Sequence, residues 1–308
     1  MRAVVLLVFC VVFAFCQNIK IATYNVENLF DGINNGNEYS DFRIGKGKWS
    51  KEKARQKLLR IKEVITALDA DIIALQEVEN EEVLKELIAG TNYKYINFST
   101  SKNAPVGLGV ISKIKPSSSE AYKVHGIKTR DILRVKFKLQ DGEFSLFVVH
   151  FPAFKRNGLE AQKRAERTLR VALAQHKNAI ALGDFNTVYS TSDRSLLYNI
   201  TTTKNYTNLW SEVREYKQRY SYARSGSNKR AIDHVLLSPE FMDKKGQFVY
   251  VCDSFKVFKP NFMMDGEYAK SEKNLSVYSD HLPLVFEIST DKNLLCGIMS
   301  KFLNRINM

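Results

Sequence analysis

From residue 18 onward the chain switches repeatedly between two hydrophobic periods. Over 18–24, Ile19, Ile21 and Thr23 share one side against polar neighbours, as in a half-buried strand. Residues 31–48 are rich in Gly and Asn and read as a loop. Lys51–Leu68 sets Leu58, Ile61, Ile65 and Leu68 on one helical face with charges opposite. A short buried strand is predicted over 71–75, and Asn80 is placed to cap a second helix that Gly90 ends. Strands are expected at Gly107–Ser112, Ile132–Leu139 and 144–149, the last two joined by a hairpin at Asp141 and Gly142. A helix is expected over 159–176. Further strands are expected over 179–182, 231–237, 248–252 and 283–288, with 260–279 as a long polar loop.

Strands and helices mix throughout, and no linker, repeat or composition break interrupts them. The pattern therefore predicts one α/β domain over 17–290. In the tail, 291–308, Leu294, Ile298, Phe302 and Ile306 recur at helical spacing, which suits a terminal helix docked on the core. Residues 1–16 are different. Arg2 precedes an unbroken apolar run, too short to span a bilayer comfortably and suited to a signal peptide. Ala14 and Cys16 are small residues in position for cleavage before Gln17, so the mature chain is expected to be secreted or periplasmic, with no transmembrane segment left. Cys252 and Cys296 are then the cysteines that remain, either as one disulfide or as two thiols.

Composition changes the picture in one respect. The chain has 308 residues and is 44% apolar, which excludes a disordered or fibrous protein. Lys plus Arg number 46 against 33 Asp plus Glu, a net charge of +13. Loss of Arg2 with the leader takes one charge away. That balance favours a polyanionic partner: nucleic acid, an anionic membrane surface or an acidic polysaccharide.

Polar residues with chemistry recur where apolar strands end, which is where rigid scaffolds display reactive groups. Asn25 and Glu27 follow the first strand, Glu77 the second, His150 the strand FSLFVV, and Asp184 and Asn186 the strand IALG. Asp233 lies in a later strand, and Asp280 and His281 precede the last one. Read singly, each is weak: Asn25 could cap a turn, and Asp233 could be a structural salt-bridge partner. As an ordered set they suit phosphodiester cleavage. Carboxylates with an amide oxygen make a hard-oxygen site for Mg²⁺, with Mn²⁺ or Ca²⁺ as alternatives. Glu77 is the main candidate ligand, helped by Asn25, Asp280 and Glu27. Asp184 is placed to activate water, Asn186 to hold the phosphate, and His281, paired with Asp233, to donate a hydrogen bond or proton. His150 is a second imidazole near the leaving oxygen.

Six segments carry a family resemblance: ATYNVENLF (22–30), ALQEVEN (74–80), VVHFP (148–152), LGDFNT (182–187), AIDHVLLS (231–238) and SDHLPL (279–284). In this order they resemble the endonuclease/exonuclease/phosphatase superfamily, to which DNase I and the apurinic endonucleases belong. The resemblance implies a four-layered α/β/β/α sandwich of two mixed β-sheets packed face to face with helices outside. It also implies metal-dependent phosphodiester hydrolysis, with Asn25, Glu77, Asp184, Asn186, Asp233, Asp280 and His281 in the roles given above. A His at position 150 leans towards the DNase I-like side, although the carboxylate that pairs with it there has no match. Lys155 and Arg156 lie where a phosphate-contacting Arg sits in some members. The expected function is a nuclease of low sequence specificity, DNA favoured over RNA, acting as a monomer without an obligate protein partner. A lipid phosphodiesterase, a phosphatase, or a binding protein such as a toxin or adhesin on the same fold are the alternatives.

Overall fold

A computed structural model of the chain describes residues 17–102, 104–153, 158–270 and 278–295. The expected leader, Lys155, Arg156, Cys296 and most of the expected terminal helix lie outside the described residues. Cys252 is disulfide-bonded.

In chain order the strands and α-helices are β1 (Asn18–Leu29), α1 (Lys51–Leu68), β2 (Ile72–Val78), α2 (Glu81–Ile88), β3 (Tyr95–Ser99), β4 (Gly107–Ser112), β5 (Ser118–Tyr122), β6 (Ile132–Leu139) and β7 (Gly142–His150). They continue with α3 (Gly158–Leu173), β8 (Ala179–Asp184), β9 (Thr207–Asn208), β10 (Asp233–Leu237), β11 (Val249–Tyr250), β12 (Lys256–Val257), β13 (Met264–Asp265), β14 (Tyr268–Ala269) and β15 (Leu284–Ser289). The first sheet runs β11-β15-β1-β2-β4-β3, with β12 also on β15; the second runs β5-β6-β7-β8-β10-β9. Each is mixed: β1 and β2 are parallel, as are β7 and β8, among otherwise antiparallel neighbours.

Alternation along the strands sorts the core into layers. Ile19, Ile21, Ile72, Ala74 and Val110 of the first sheet face Val135, Leu146, Val148, Ile180 and Val235 of the second. The opposite face of the first sheet, with Ala22, Ile73 and Leu75, is covered by Leu58, Ile61 and Ile65 of α1 and Leu84 and Leu87 of α2. Phe147, Val149 and Ala181 on the outer face of the second sheet take Ala165, Leu169 and Ala172 of α3. This is the four-layered α/β sandwich expected from the sequence.

Local signals fix the helix ends. The Ser50 hydroxyl accepts from Lys53 N–H at 3.2 Å and starts α1; the Asn80 side chain accepts from Val83 N–H at 2.8 Å and starts α2. Gly90, at φ +75°, turns the chain after α2. The expected hairpin between β6 and β7 forms, but with Leu139 opposite Gly142 its turn is Gln140 and Asp141, one residue earlier than the Asp141 and Gly142 expected. Differences lie at weakly patterned edges. The helix expected to reach 176 ends at Leu173. The strands β3 and β5 have no fully buried residue; Ile96 and Phe98 of β3 alternate over too short a run to stand out, and β5 carries no apolar alternation. The 260–279 segment contains a two-stranded hairpin, β13 with β14. Among the described residues, no helix is long and apolar enough to cross a membrane.

Candidate active site

Three neighbouring strands of the second sheet carry their reactive residues in one row. His150 of β7 pairs in register with Asp184 of β8, and Asp184 with Asp233 of β10. Gly183 makes this possible. It sits at φ +132°, and a Cβ there would lie 2.1 Å from the Val149 carbonyl oxygen. Asn186, two residues further on, then holds Asp184 in place: the Asp184 Oδ1 accepts from Asn186 N–H at 2.8 Å. The Asn186 Nδ2 donates to Phe151 O at 3.0 Å and to Asp184 Oδ2 at 3.3 Å. The carbonyl partner fixes which end of the amide is nitrogen. The Asn186 side chain thus orients Asp184, a bond different from the phosphate contact expected of it.

The first sheet reaches the same point by a different route. Register shifts occur between Asn25 and Leu29 in β1 and between Gln76 and Val78 in β2. Glu27, Asn28 and Glu77 have left-handed φ of 50°, 60° and 66°. Non-glycine residues other than Asn and Asp adopt this region at a cost of about 1 kcal/mol or more, and such strain clusters at functional sites. The bulges turn the carboxylates towards the second sheet. Glu77 accepts from Asn25 Nδ2 at 3.2 Å and from Asn28 N–H at 3.0 Å. Asn25 Nδ2 also donates to Asp184 Oδ2 at 3.1 Å, which ties the two sheets together. The Asn25 Oδ1 is taken by Glu27 N–H at 3.0 Å. Asn25 therefore holds two carboxylates side by side, whereas the sequence suggested its oxygen as a ligand.

The segment before β15 closes the site. Ser279 Oγ donates to Asn25 O at 2.6 Å and accepts from His281 N–H at 3.0 Å. Asp280 N–H donates to Glu27 Oε2 at 3.0 Å. His281 Nδ1–H donates to Asp233 Oδ2 at 2.8 Å, which aims Nε2 at Asp184 Oδ2, 3.9 Å away. Asp233 is itself seated by its N–H on Ser221 Oγ and by Trp210 Nε1–H on its carbonyl.

Charge in this cleft is strongly perturbed. Burial and the charge of Asp233 raise Asp184 to about 7, against the pull of His281. Burial and the charge of Asp280 raise Glu27 to about 7. Burial opposes a charged His281, but the charge and hydrogen bond of Asp233, with Asp184 and Asp280 beyond, outweigh it and hold the imidazolium well above its usual range. His150 goes the other way. Burial, then the cations Arg130 and His281, push it well below the ordinary histidine range. Its Nδ1 has no hydrogen-bond partner among the described residues, and its Nε2 lies 3.5 Å from Asp184 and 3.7 Å from Glu77. Burial and these two cations thus keep His150 neutral.

All the described residues expected at the site converge: Asn25, Glu27, Glu77, His150, Asp184, Asn186, Asp233, Asp280 and His281. Four others carry no assignment from the sequence. Lys57 of α1 is buried, donates to Tyr278 O, and faces the charges of Glu27, Asp280 and Glu77. Its signal is a lysine on the apolar stripe of a helix, between Ala54 and Ile61. Arg130 stands near His150, and Arg224 Nη1 is 4.0 Å from Asp280 Oδ2. Neither has a sequence signal. His234 points away from Asp233 as strand alternation requires, yet its Nε2–H donates to Thr187 O at 2.8 Å and so braces the turn after Asp184.

Asp184, Asp233 and His281 each offer a donor atom within 4.8 Å of the others, a group able to hold a metal ion. The wider donor set fits a hard divalent cation. Glu27, Glu77, Asp184 and Asp280 supply carboxylate oxygens in excess of the one buried lysine.

An α/β sandwich with this cleft at the seam of its sheets defines a phosphoesterase-type hydrolase. The sequence matches the Endonuclease/Exonuclease/phosphatase family over residues 20–290, and the chain belongs to that family, whose chemistry is metal-dependent. Solved structures share the fold at low identity. D. rerio TDP2 complexed with single strand DNA product is 14% identical, with a TM-score of 0.61 over 88% of this chain and 99% of its own. An endonuclease/exonuclease/phosphatase family protein from Bacteroides thetaiotaomicron is 18% identical, with a TM-score of 0.59 over 92% and 98%. The mannosyl-6-phosphatase Bt3783 of Bacteroides thetaiotaomicron is 18% identical, with a TM-score of 0.59 over 88% and 99%. No curated protein matches the sequence.

Proposed function

We propose that the protein is a secreted or periplasmic phosphodiesterase that hydrolyses nucleic acid, DNA foremost, with little sequence preference. The observation that carries this reading is the meeting of Asp184, raised to about 7, with His281, kept charged by Asp233, at one end of the cleft. Glu77, with Asp280 and Glu27, would hold a divalent cation, Mg²⁺ first. Such an ion supplies Lewis-acid polarisation of a phosphoryl oxygen.

The chain's own groups do the rest. Asp184, fixed by Asn186 and Asn25, orients a water and accepts its proton near neutral pH. His281 Nε2–H donates to the phosphoryl oxygen as charge grows there. Neutral His150 lies beside Asp184 and Glu77 and offers a hydrogen bond towards the leaving oxygen without adding charge. Arg130 and Arg224 would serve flanking phosphates as cations, the role the sequence suggests for Lys155 and Arg156. The charge of +13, less Arg2, favours a polyanion over a small ester. The likeness to TDP2 complexed with single strand DNA product supports the same preference.

The likeness to a mannosyl-6-phosphatase favours a second reading, a sugar phosphatase. A panel of supercoiled DNA, single-stranded DNA, RNA, abasic DNA, sphingomyelin and mannose 6-phosphate, with and without EDTA, separates the readings. Cation-dependent cutting of a nucleic acid is expected. Turnover of mannose 6-phosphate or sphingomyelin alone would overturn it.

A further inference from the structure

Beside the catalytic cleft lies a groove of about 690 Å³ whose walls alternate tyrosines with cations. Arg219 stacks over Tyr189 at 5.4 Å, and Lys259 over Tyr220 at 3.8 Å. Lys229 lies between rings, 4.9 Å from Tyr220 and 5.7 Å from Tyr268. Arg230 stacks over Tyr222 at 5.1 Å. The acidic residue in the wall, Glu267, is held by Lys229 at 2.7 Å. At the rim the ring of Tyr216 is 78% exposed.

This groove is continuous with the reactive centre. Tyr222 exchanges backbone hydrogen bonds with Arg230 at 2.9 and 3.0 Å, and its ring packs edge-on against His281 at 5.3 Å. Arg230 and Val188 also line a neighbouring depression that contains Asn186. A chain leaving the scissile position would pass Tyr222 and Arg230 and enter the groove.

We infer that this groove binds a single strand of nucleic acid next to the scissile phosphate, with phosphates on the cation row and an unpaired base on Tyr216. The inference rests on the phosphodiesterase reading and adds the strandedness of its substrate. Cations alone would serve a duplex equally well. Along a nucleic acid an exposed aromatic ring finds a stacking partner in an unpaired base, whereas away from the ends of a duplex the base faces are covered by its own stack. A small phosphate ester would leave the whole row unused. The ring–cation contacts also hold the long Lys and Arg side chains in place before a strand arrives, which lowers the ordering cost of binding.

The test uses the full chain in EDTA and fluorescence anisotropy with labelled oligo-dT, a duplex of equal length, and, by co-sedimentation, phosphatidylserine vesicles. The variants are Lys229→Gln/Lys259→Gln and Tyr216→Ser. Hydrolysis of bis(4-nitrophenyl) phosphate with Mg²⁺ is measured alongside, because it needs the reactive centre and not the groove. The double variant should lose about tenfold in oligo-dT affinity. Its log–log salt slope should flatten by about 1.4, as for two lost single-strand phosphate contacts. Tyr216→Ser should lose about tenfold with the slope unchanged. Duplex affinity should fall only in the double variant. Unchanged oligo-dT affinity in both variants overturns the inference, as does equal dependence of duplex or vesicle binding on Tyr216. Groove-dependent oligo-dT binding without hydrolysis of the small diester would support the groove and sink the phosphodiesterase reading instead.

Discussion

The two sheets meet at one seam but deliver their side chains by different means. The second sheet uses regular register: His150, Asp184 and Asp233 stand abreast on three straight, hydrogen-bonded strands. The first sheet uses strain: Glu27 and Glu77 reach the cleft because bulged strand ends hold them in left-handed backbone. Regular strands give the fixed geometry that proton transfer needs, within hydrogen-bond reach of a reacting atom. Strained ends bring several carboxylates together against their mutual repulsion, which suits a site waiting for a cation. The comparison teaches that the half proposed for acid–base chemistry and the half proposed to hold the cation should answer to different kinds of damage.

The largest effect should come from the acid–base half. Asp184→Asn and His281→Ala should each cut plasmid nicking by about 10³-fold or more, since both groups act mainly in the transition state. The two should differ in stability. Asp184→Asn keeps the shape and removes a buried charge already raised to about 7, so its urea midpoint should equal or exceed that of the parent. His281→Ala leaves Asp233 buried without its partner and should lower the midpoint. Nicking by Asp184→Asn at the parent rate would remove Asp184 from the reaction.

The next largest effect concerns the register itself. Gly183→Ala would drive a methyl into the Val149 carbonyl and should cost about 3 kcal/mol or more in urea unfolding. Gly90→Ala, at φ +75° with nothing within 4 Å of the added carbon, should cost only about 1 kcal/mol. Equal costs at the two positions would mean that the β7–β8 contact tolerates separation and that the catalytic row is not set by it.

The same contrast explains what the sequence makes legible. Asp184 and Asp233 can be read because alternation along IALGD and AIDHVLLS fixes which side chains face the seam. The range of α1 can be read from the sequence, since its apolar stripe from Leu58 to Leu68 runs on one face with charges opposite. Glu77 can be named through its motif, but the bulge that aims it cannot, because a Glu carries no propensity for left-handed backbone. Asn186 and Asn25 turn inward where the sequence suggests outward roles. An amide has a donor and an acceptor, and only the folded surroundings decide which way each points. Arg130 and Arg224 act across the tertiary structure with no local spacing to betray them, and Lys57 shows only as a charge on the apolar stripe of α1.

His234 offers a smaller test of how the straight strands are braced. Trp210 N–H donates to Asn208 Oδ1 at 3.2 Å, so Asn208 presents its Nδ2 to His234 Nδ1 at 3.0 Å. His234 is thereby the neutral tautomer with its proton on Nε2, directed at Thr187 O. Burial pushes its pKa down to about 4. Above about pH 6.5, the ordinary value, the group is neutral folded and unfolded, and its full contribution to stability is present. As pH falls from there towards 4, only the unfolded chain takes up the proton, and on the order of 2–3 kcal/mol is lost. Below 4 the loss levels off. Buried carboxylates titrate with the opposite sign in the same window, so the measurement is the difference between parent and His234→Gln. The parent should lose more stability between pH 7 and 4 than the variant; parallel profiles would show that His234 does not carry this linkage.

The smallest effect probes the strained half directly. Glu77→Gln keeps the length of the side chain and one oxygen to accept from Asn25 or Asn28, but removes the charge that a cation would meet. The Mg²⁺ concentration for half-maximal nicking should rise by about tenfold to a hundredfold, with the rate at saturating Mg²⁺ falling less than in Asp184→Asn. Exhaustive EDTA treatment should stop the parent, and Mg²⁺, Mn²⁺ or Ca²⁺ should restore it. If Glu77→Gln leaves the Mg²⁺ requirement untouched while Asp233→Asn raises it, the cation sits instead on the compact Asp184, Asp233 and His281 group. The division of labour between strained and straight strand ends would then be lost, because the row held in regular register would carry the ion as well as the proton.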